Sequence, residues 1–288
     1  MIRRRTLLAS TGLAAVALAL SACSGTAAPA ASSASSSGAA SASGPASLAT
    51  LTAGKLTVAT GQPAYSPWVE DDKPESGKGF ESAVTYAVAK QLGYAASDVV
   101  WVRSTFDSAV TPGAKPWDLN IQQFSITAAR KQAVDFSSPY YTTTQAVVTT
   151  KGSKAEGVTT LAGLKGLTIG VASGTTSLQV ATDKIGAPKV YNSNDDAVQA
   201  LKTKQIDAIV ADLPTAFYIA GGQLDDGVVV GQIADSTTGG DEFAFVLPKD
   251  SKLTAPVSAA VDAITKSGEL KTITDKWLSS EVDAPVLQ

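Results

Sequence analysis

The chain has 288 residues, with 23 lysine or arginine, 26 aspartate or glutamate and no histidine, which gives a net charge of −3. Its single cysteine, Cys23, excludes an intrachain disulfide. The absence of histidine and of a second cysteine also excludes the commonest zinc sites, the commonest thiol chemistry and any Ser-His-Asp triad. No basic patch stands out, which argues against a nucleic-acid partner. We predict no cofactor and no metal site.

The first 22 residues predict a secretory signal peptide. Three arginines at positions 3–5 precede an apolar run from Leu13 to Leu20 that is too short for an ordinary membrane span. The stretch LSAC (20–23) is similar to a bacterial lipobox, in which the chain is cut before the cysteine. We therefore predict a lipoprotein signal peptide at 1–22 and a lipid, such as palmitate, on Cys23. A plain signal peptide with an incidental cysteine is the alternative, and export by the twin-arginine route also stays open.

Residues 23–50 are predicted to be the lipidated cysteine followed by a disordered linker. Positions 24–50 are almost entirely Ser, Ala, Gly, Thr and Pro. Such a composition buries too little apolar surface to offset the entropy of ordering, so it acts as a flexible spacer. The predicted location is extracytoplasmic, anchored by lipid to the outer face of the cell membrane.

Strand and helix patterns alternate along the remaining body. Residues 80–93 carry apolar side chains three or four positions apart, as on one face of a helix that ends at Gly93. Ser193 or Asn194 supplies the N-cap of another helix. The predicted strands are 55–60, 99–103, 167–173 and 206–212, and the predicted helices are 80–93, 174–186, 192–205 and a pair within 255–280 broken near Gly268. This alternation predicts an α/β fold with helices covering a largely parallel sheet.

The body divides into two such stretches, at about 54–146 and 152–242. Two extended, β-branched segments, QAVVTTKG (145–152) and FAFVLPKD (243–250), lie at their ends. We interpret these segments as strands that cross between two lobes and act as hinges.

From Lys55 to Ser280 the sequence resembles the bacterial extracellular solute-binding proteins, family 3, of polar amino-acid ABC transporters. The resemblance implies a type II periplasmic-binding-protein fold, with two α/β lobes, a two-strand hinge and a ligand cleft between the lobes. The matching stretches, in the family's order and spacing, are YSPWV (65–69), GKGFESAVTYAVAKQLGY (77–94), DLNIQQFSITAARKQAVDFSSPYY (118–141), LKGLTIGVASGTTS (164–177), ALKTKQIDAIVADLP (200–214) and SGELKTITDKWLSS (267–280).

The same resemblance divides the chain and supplies its partners. It places lobe I at 51–146, lobe II with the hinge strands at 147–244, and the completion of lobe I with the C-terminal helices at 245–288. The implied partners are a free amino acid and the permease and ATPase of an ABC transporter. We expect the protein to be a monomer.

The resemblance implies a site for an amino acid zwitterion. Arg130 ends the motif Thr127-Ala128-Ala129-Arg130, whose arginine binds the ligand carboxylate in the family. Its planar fork suits that task, because it donates two parallel hydrogen bonds to a carboxylate. Asp212 matches the acceptor of the ligand ammonium. Without the family, Arg130 would be assigned to a solvated surface and Asp212 to a cap of the turn that follows it.

Four further positions are implied as ligand contacts. Thr176, in the turn ASGTTS (172–177), matches a threonine whose hydroxyl and amide meet the carboxylate, and a plain helix N-cap is compatible with that role. Ser125 matches a hydroxyl contact. Tyr65 and Phe106 match aromatic positions that pack on the ligand side chain.

Two glutamines depart from the family pattern. Gln62 lies where several relatives carry an aspartate, so the obvious partner of a lysine or arginine side chain is missing. Gln123 lies where glycine or serine is usual, and its longer side chain either narrows the pocket or replaces a backbone contact. An acidic ligand would need an extra cation, for which Arg103 is the candidate. The predicted order of ligands is neutral polar first, acidic second and basic last.

An enzyme with this fold is the main alternative function. Some relatives are secreted dehydratases that act on cyclohexadienyl amino acids such as arogenate, and this chemistry needs a general acid beside the leaving hydroxyl. The chain has no histidine, and Glu70, Glu75 and Glu81 are assigned to a surface loop and a helix start. We therefore predict a binding protein without enzymatic activity. A ligand-sensing receptor is a further alternative.

Overall fold

The structure, a computed structural model, describes residues 48–234, 240–278 and 284–288. The predicted signal peptide, Cys23 and almost all of the predicted linker lie outside the described residues. The described residues belong to one unit, 42–288. None of their helices has both the length and the apolar character needed to cross a membrane.

Strands and helices alternate along the described chain. The strands are β1 (Leu56–Thr60), β2 (Val99–Arg103), β3 (Leu119–Asn120), β4 (Val134–Phe136), β5 (Tyr141–Thr143), β6 (Gln145–Thr150), β7 (Ile169–Ala172), β8 (Lys189–Tyr191), β9 (Ala208–Asp212), β10 (Gly227–Ile233), β11 (Asp241–Phe243), β12 (Val246–Pro248) and β13 (Val286–Leu287). The helices are α1 (Phe80–Gln91), α2 (Phe106–Val110), α3 (Leu161–Leu164), α4 (Thr176–Lys184), α5 (Asn194–Lys202), α6 (Leu213–Tyr218), α7 (Thr254–Lys266) and α8 (Glu269–Trp277).

The predicted elements are all present, with ends shifted by at most three residues. Local capping sets several of these ends. The Ser193 hydroxyl accepts a hydrogen bond from the Asp196 amide and starts α5. Gly93 and Gly268 have positive φ values of 88° and 79°, which any residue with a side chain rarely adopts, and they follow α1 and separate α7 from α8.

The first sheet has five strands in the order β2-β1-β3-β12-β4. Strands β2, β1 and β3 run parallel, and β12 is antiparallel to both of its neighbours. Both faces are covered by apolar residues. One core includes Leu56, Phe80 and Val257, which come from β1, α1 and α7, and a smaller cluster contains Trp117 and Phe124.

The second sheet has six strands in the order β13-β10-β6-β9-β7-β8. Strands β9, β7 and β8 run parallel, whereas β6 is antiparallel to both β9 and β10. Side chains of β6 alternate between the faces: Ala146 and Val148 belong to one core, and Val147 belongs to the other. Both sheets are therefore mixed, and the prediction of a largely parallel sheet holds only for three adjacent strands in each.

A separate two-stranded antiparallel sheet, β5 with β11, stands where the chain passes between the two large sheets. The predicted crossing segments 145–152 and 243–250 are extended, but β6 and β12 within them belong to the large sheets. The paired crossing strands end at or just before the start of those segments, β5 at Thr143 and β11 at Phe243. The sequence pattern did not separate them, because each crossing strand continues almost without interruption into a buried strand.

The chain after residue 245 contributes to both sheets rather than to the first alone. Helices α7 and α8 contact α1 beside the first sheet. Strand β13, in contrast, pairs in parallel with β10 of the second sheet, with Ile233 opposite Leu287. The predicted completion of lobe I by 245–288 is therefore wrong for these last residues, because the free edge of β10 offers them hydrogen-bond partners.

Gly79, which precedes α1, provides a test of this packing. Its φ of 97° favours glycine, and a Cβ there would lie 2.5 Å from the Trp68 carbonyl oxygen. Gly113 has a similar φ of 121°, but a Cβ there would meet no atom within 4 Å. We expect Gly79→Ala to lower the free energy of unfolding by about 3–4 kcal/mol, and Gly113→Ala by about 1–2 kcal/mol from backbone strain alone.

Urea unfolding of both variants, followed by circular dichroism, measures this difference. Both substitutions add the same methyl group at a positive φ, so Gly113→Ala controls for strain. Equal destabilisation of the two variants would contradict the close approach of Gly79 to the backbone of Trp68.

Candidate functional site

A cavity of about 250 Å³ lies between the two sheets. Its walls are the loops after β1, β2 and β3 of the first sheet and after β7, β8 and β9 of the second. Ligand sites of α/β proteins typically lie beyond the carboxyl ends of parallel strands, as here. The cavity brings together all eight residues predicted as ligand contacts, namely Gln62, Tyr65, Phe106, Gln123, Ser125, Arg130, Thr176 and Asp212.

Arg130 reaches the cavity from a single 3-10 turn, and neutral groups hold it there. Its guanidinium donates to the Ser125 carbonyl oxygen at 2.7 Å and to the Gly174 carbonyl oxygen at 2.9 Å. It also lies 5.3 Å from the centroid of the Phe106 ring, which stacks on Phe124. These two hydrogen bonds use two of its five N–H donors. None of the ion pairs in the described part of the chain includes Arg130.

Asp212 ends β9 on the opposite side of the cavity. In the antiparallel pairing of β6 with β9 it stands across from Gln145, whose side-chain amide donates to its Oδ1 at 2.7 Å. Burial, followed by the neighbouring Asp241 carboxylate, raises the pKa of the Asp212 carboxyl to about 7, whereas the Gln145 amide and Arg130 act in the opposite direction. Among the described residues, no lysine or arginine forms an ion pair with Asp212.

Thr176 and Ser125 join the two sides of the cavity. Their hydroxyl oxygens are 3.2 Å apart, and the Thr176 hydroxyl donates to Oδ2 of Asp241 at 2.8 Å. The cap of α4 is Thr175, whose hydroxyl accepts from the Leu178 amide at 3.2 Å. Thr176 is therefore the first helical residue. Because its hydroxyl serves Asp241, its backbone N–H is the group best placed to meet an anion.

The two predicted aromatic contacts have partners of their own. The Tyr65 hydroxyl donates to Oδ2 of Asp195 at 2.5 Å, and the Gln223 amide donates to the other oxygen of that carboxylate at 2.8 Å. Burial, followed by the hydrogen bond to Asp195 and the charge of that carboxylate, raises the pKa of the Tyr65 phenol. Phe106 supports Arg130 as described above. Tyr65 thus connects the loop after β1 with helix α5 of the second lobe.

Gln123 lines the cavity, but its side chain is turned towards Glu81. Its backbone N–H donates to Oε1 of Glu81 at 2.8 Å, and its side-chain amide donates to Oε2. The Tyr140 hydroxyl donates to Oε1 at 2.5 Å. Burial raises the pKa of the Glu81 carboxyl to about 7, although these donors act in the opposite direction. With a φ of 50°, Gln123 holds a left-handed backbone conformation that these bonds stabilise.

Glu81 also corrects one assignment made from the sequence. It lies in the first turn of α1, at the predicted helix start, but it is fully buried there, whereas Glu75 is exposed as predicted. The surface assignment failed because a carboxylate is rarely buried, and the three donors that compensate for burial come from distant segments.

The contacts of Arg103 and Gln62 decide which polar groups are available to contact a ligand side chain. Arg103 does not line the cavity. It donates to Asp72 at 2.5 Å and to the Gly61 carbonyl oxygen at 2.6 Å. Its charge is thereby matched within the protein. Gln62 is exposed and lines the cavity at its rim. Within the cavity lining, Arg130 and Asp212 are the charged residues, and the other polar side chains are hydroxyls and amides.

The sequence does not identify three functional candidates, namely Gln145, Asp195 and Asp241. In the sequence Gln145 is only the start of an extended segment, and the two aspartates lie in polar stretches without a distinctive pattern. Their positions depend on contacts between segments 67 to 130 residues apart. No local signal in the chain reports such contacts.

Comparisons with known proteins agree with this architecture. The chain is 31% identical over 238 residues to the arginine-binding extracellular protein ArtP of Bacillus subtilis (strain 168), a match that covers 80% of this chain and 89% of that protein. Among solved structures, an ancestral arginine-binding protein bound to arginine is 31% identical and has a TM-score of 0.65, covering 78% and 98% of the two chains.

A second solved structure bears on the choice between binding and catalysis. It is the ancestral amino acid-binding protein AncCDT-1, a precursor of cyclohexadienyl dehydratase, which is 29% identical with a TM-score of 0.63, covering 78% of this chain and 95% of that one. The structural matches confirm the predicted two-lobed, type II periplasmic-binding-protein fold. The sequence profile of the bacterial extracellular solute-binding proteins, family 3, matches residues 56–280. The chain belongs to that family.

Proposed function

We propose that the protein is the extracytoplasmic substrate-binding component of an amino-acid ABC transporter, and that it captures a neutral polar amino acid between its lobes. The observation that carries this proposal is the charge of the cavity lining. One cation, Arg130, comes from the first lobe and one anion, Asp212, from the second, without an ion pair between them. An α-amino acid carries the two complementary charges on adjacent groups.

The geometry supports a separate partner for each end of the zwitterion. Arg130 has free N–H donors for a carboxylate, and the first turn of α4 adds the Thr176 amide. Asp212 accepts the ammonium, and its neighbour Gln145 keeps the carboxylate in position by a 2.7 Å hydrogen bond. The ligand thereby binds to both lobes at once, and its charges favour the closed arrangement in which both can be paired.

The lining favours a ligand side chain without net charge. Beyond the two charged residues it offers hydroxyls and amides, including Gln62. An acidic side chain would need a cation, and the candidate Arg103 is already paired with Asp72. A basic ligand, as in the arginine-binding relatives, is the competing class. It would have to reach Asp195, which borders a smaller neighbouring cavity of about 30 Å³ and already accepts bonds from Tyr65 and Gln223.

The contacts of Glu81 support a binding protein rather than a dehydratase. A dehydratase needs a general acid that reaches the leaving hydroxyl of its substrate. Glu81 has the raised pKa of such an acid, but it does not line the cavity. Gln123 lies between them and, with Tyr140, occupies both carboxylate oxygens.

The zwitterion clamp is tested by removing either charge. We expect Arg130→Ala and Asp212→Ala each to weaken binding of the best amino acid by about 3–5 kcal/mol, because a ligand charge then stays unpaired in a closed cleft. Isothermal titration calorimetry measures the loss. Lys271→Ala and Asp275→Ala, which change the same charges on the exposed face of α8, are matched controls. Near-normal affinity in either cavity variant would mean that the site is placed wrongly.

The ligand class is tested by a thermal-shift screen of the twenty amino acids on the purified protein. At 100 times its dissociation constant a ligand adds about 2.7 kcal/mol of stability, enough to shift the melting curve. We expect a neutral polar amino acid to give the largest shift. A largest shift with lysine or arginine would replace the proposed class by the basic one. Absence of any shift would refute amino-acid binding.

The membrane anchor is tested at Cys23. We propose that the mature chain begins there with a lipid, since the lipobox-like sequence contains the only cysteine of the protein. We expect Cys23→Ala to release the protein into the medium, and Ser24→Ala, one position further, to leave it in the membrane fraction. Cell fractionation and immunoblotting measure the distribution. Unchanged membrane retention of Cys23→Ala would contradict the anchor.

A further inference from the structure

A second carboxylate lies beside Asp212 although it does not line the cavity. The side-chain nitrogen of Gln145 donates to Oδ1 of Asp212 and to Oδ2 of Asp241, each at 2.7 Å. These two oxygens are therefore within about 5.4 Å of each other. The orientation of the Gln145 side-chain amide is fixed, because its oxygen accepts a hydrogen bond from the buried Ser177 hydroxyl at 2.6 Å. Its nitrogen therefore stays between the two carboxylates.

The chain fold explains why these groups meet. Gln145 begins β6 and stands opposite Asp212 of β9, whereas β5, just before it, pairs with β11 and places Asp241 opposite Thr143. One residue thus faces both a lobe strand and a crossing strand. The arrangement sits where the two-stranded sheet joins the second lobe, next to the ligand cavity.

The charged groups around Asp212 and Asp241 do not neutralise these two carboxylates. The ionisable groups that act on Asp212 are Asp241 from β11, Arg130 from the first lobe and Glu81 from α1, with the Tyr140 phenol beside Glu81. Arg130 is the one cation among them, and its hydrogen bonds go to carbonyl oxygens. Neither aspartate takes part in the ion pairs found among the described residues. A neighbouring like charge at this distance, in a partly buried site, disfavours ionisation of Asp212.

We propose that Asp212, held beside Asp241 by the Gln145 amide, carries a proton while the cavity holds no ligand, and that capture of an amino acid releases this proton to solvent. The inference rests on the proposed function, because the arriving ammonium is what replaces the proton. The exchange is balanced: Asp212 loses one proton to solvent and gains one ammonium charge in its place. Asp241 thereby sets the pH range in which the protein binds its ligand.

The direction of the pH dependence follows from the raised pKa of Asp212. Below about pH 7 the proton competes with the ammonium, so affinity falls by up to tenfold for each pH unit, and the loss levels off towards pH 8. Without Asp241, the pKa of Asp212 moves towards its ordinary value and the competition shifts to lower pH. Asp241→Asn should therefore bind more tightly than the wild type at pH 6 and about equally at pH 8.

Calorimetry on the full-length protein with L-glutamine and L-arginine as probes tests this proposal. For the wild type we expect affinity about tenfold lower at pH 6 than at pH 8. At pH 6 its binding enthalpy should differ between buffers by the heat of about one proton. For Asp241→Asn the change in affinity should be less than about threefold. Glu242→Gln removes the neighbouring exposed carboxylate of the same strand and should behave as the wild type.

Two binding outcomes would overturn the proposal. One is a wild-type affinity that is equal at both pH values, with an enthalpy independent of the buffer. The other is an Asp241→Asn variant that binds more weakly at pH 6 and pH 8 alike, which would make Asp241 a simple attractive charge.

A measurement without any amino acid separates this inference from the proposed function. A carboxyl whose pKa is raised on folding stabilises the native state at low pH, and this stability is lost as pH rises through about 7. Urea unfolding from pH 5 to 8 should show a larger loss for the wild type and Glu242→Gln than for Asp241→Asn. Equal losses overturn only the effect of Asp241 on the proton of Asp212. If the difference is present but none of the twenty amino acids binds, the proposed function fails and the release step fails with it.

Discussion

The organisation of this protein depends on two charges that face the same cavity without pairing. Arg130 is held by carbonyl oxygens and by the ring of Phe106, and Asp212 is held by the amide of Gln145. Neutral hydrogen bonds position a charge but do not neutralise it, and an uncompensated charge in a partly buried site is costly. A zwitterion has both of the missing charges on adjacent groups, which is the physical basis of the proposed capture of an α-amino acid.

Both lobes position their charged residue in the same way, at or beyond the ends of parallel strands. In each sheet, three adjacent parallel strands end at the cavity, and the loops beyond them carry the polar side chains. Contacts between the lobes, such as Tyr65 with Asp195 and Trp68 with Thr215, are single hydrogen bonds. The neutral bond contributes about 0.5–1.5 kcal/mol and the one to the Asp195 carboxylate about 1.5–3 kcal/mol. In the proposed complex, the charge pairs with the ligand are the larger source of free energy for holding the lobes together across the thin β5–β11 connection.

Behind the cavity lies a layer of buried polar groups that sets its shape and charge. Glu81 receives both donors of Gln123, and Asp241 receives Gln145 and Thr176. Hydrogen bonds among such groups are strong where water is excluded, and a missing partner is expensive. This layer distinguishes the site from one built only of residues that touch a ligand. It also means that residues outside the lining influence affinity.

The sequence by itself determined the alternation of strands and helices and several of their ends, because periodic burial and glycine turns are local patterns, and the resemblance to a family named Arg130 and Asp212 as the predicted clamp. Only the tertiary structure decided that Asp241 lies beside Asp212, that Glu81 is buried, and that β13 joins the second sheet. These features arise from pairings between distant segments, such as Gln145 with an aspartate 96 residues away. Local periodicity reports which face of an element is buried, but not which distant side chain it meets there.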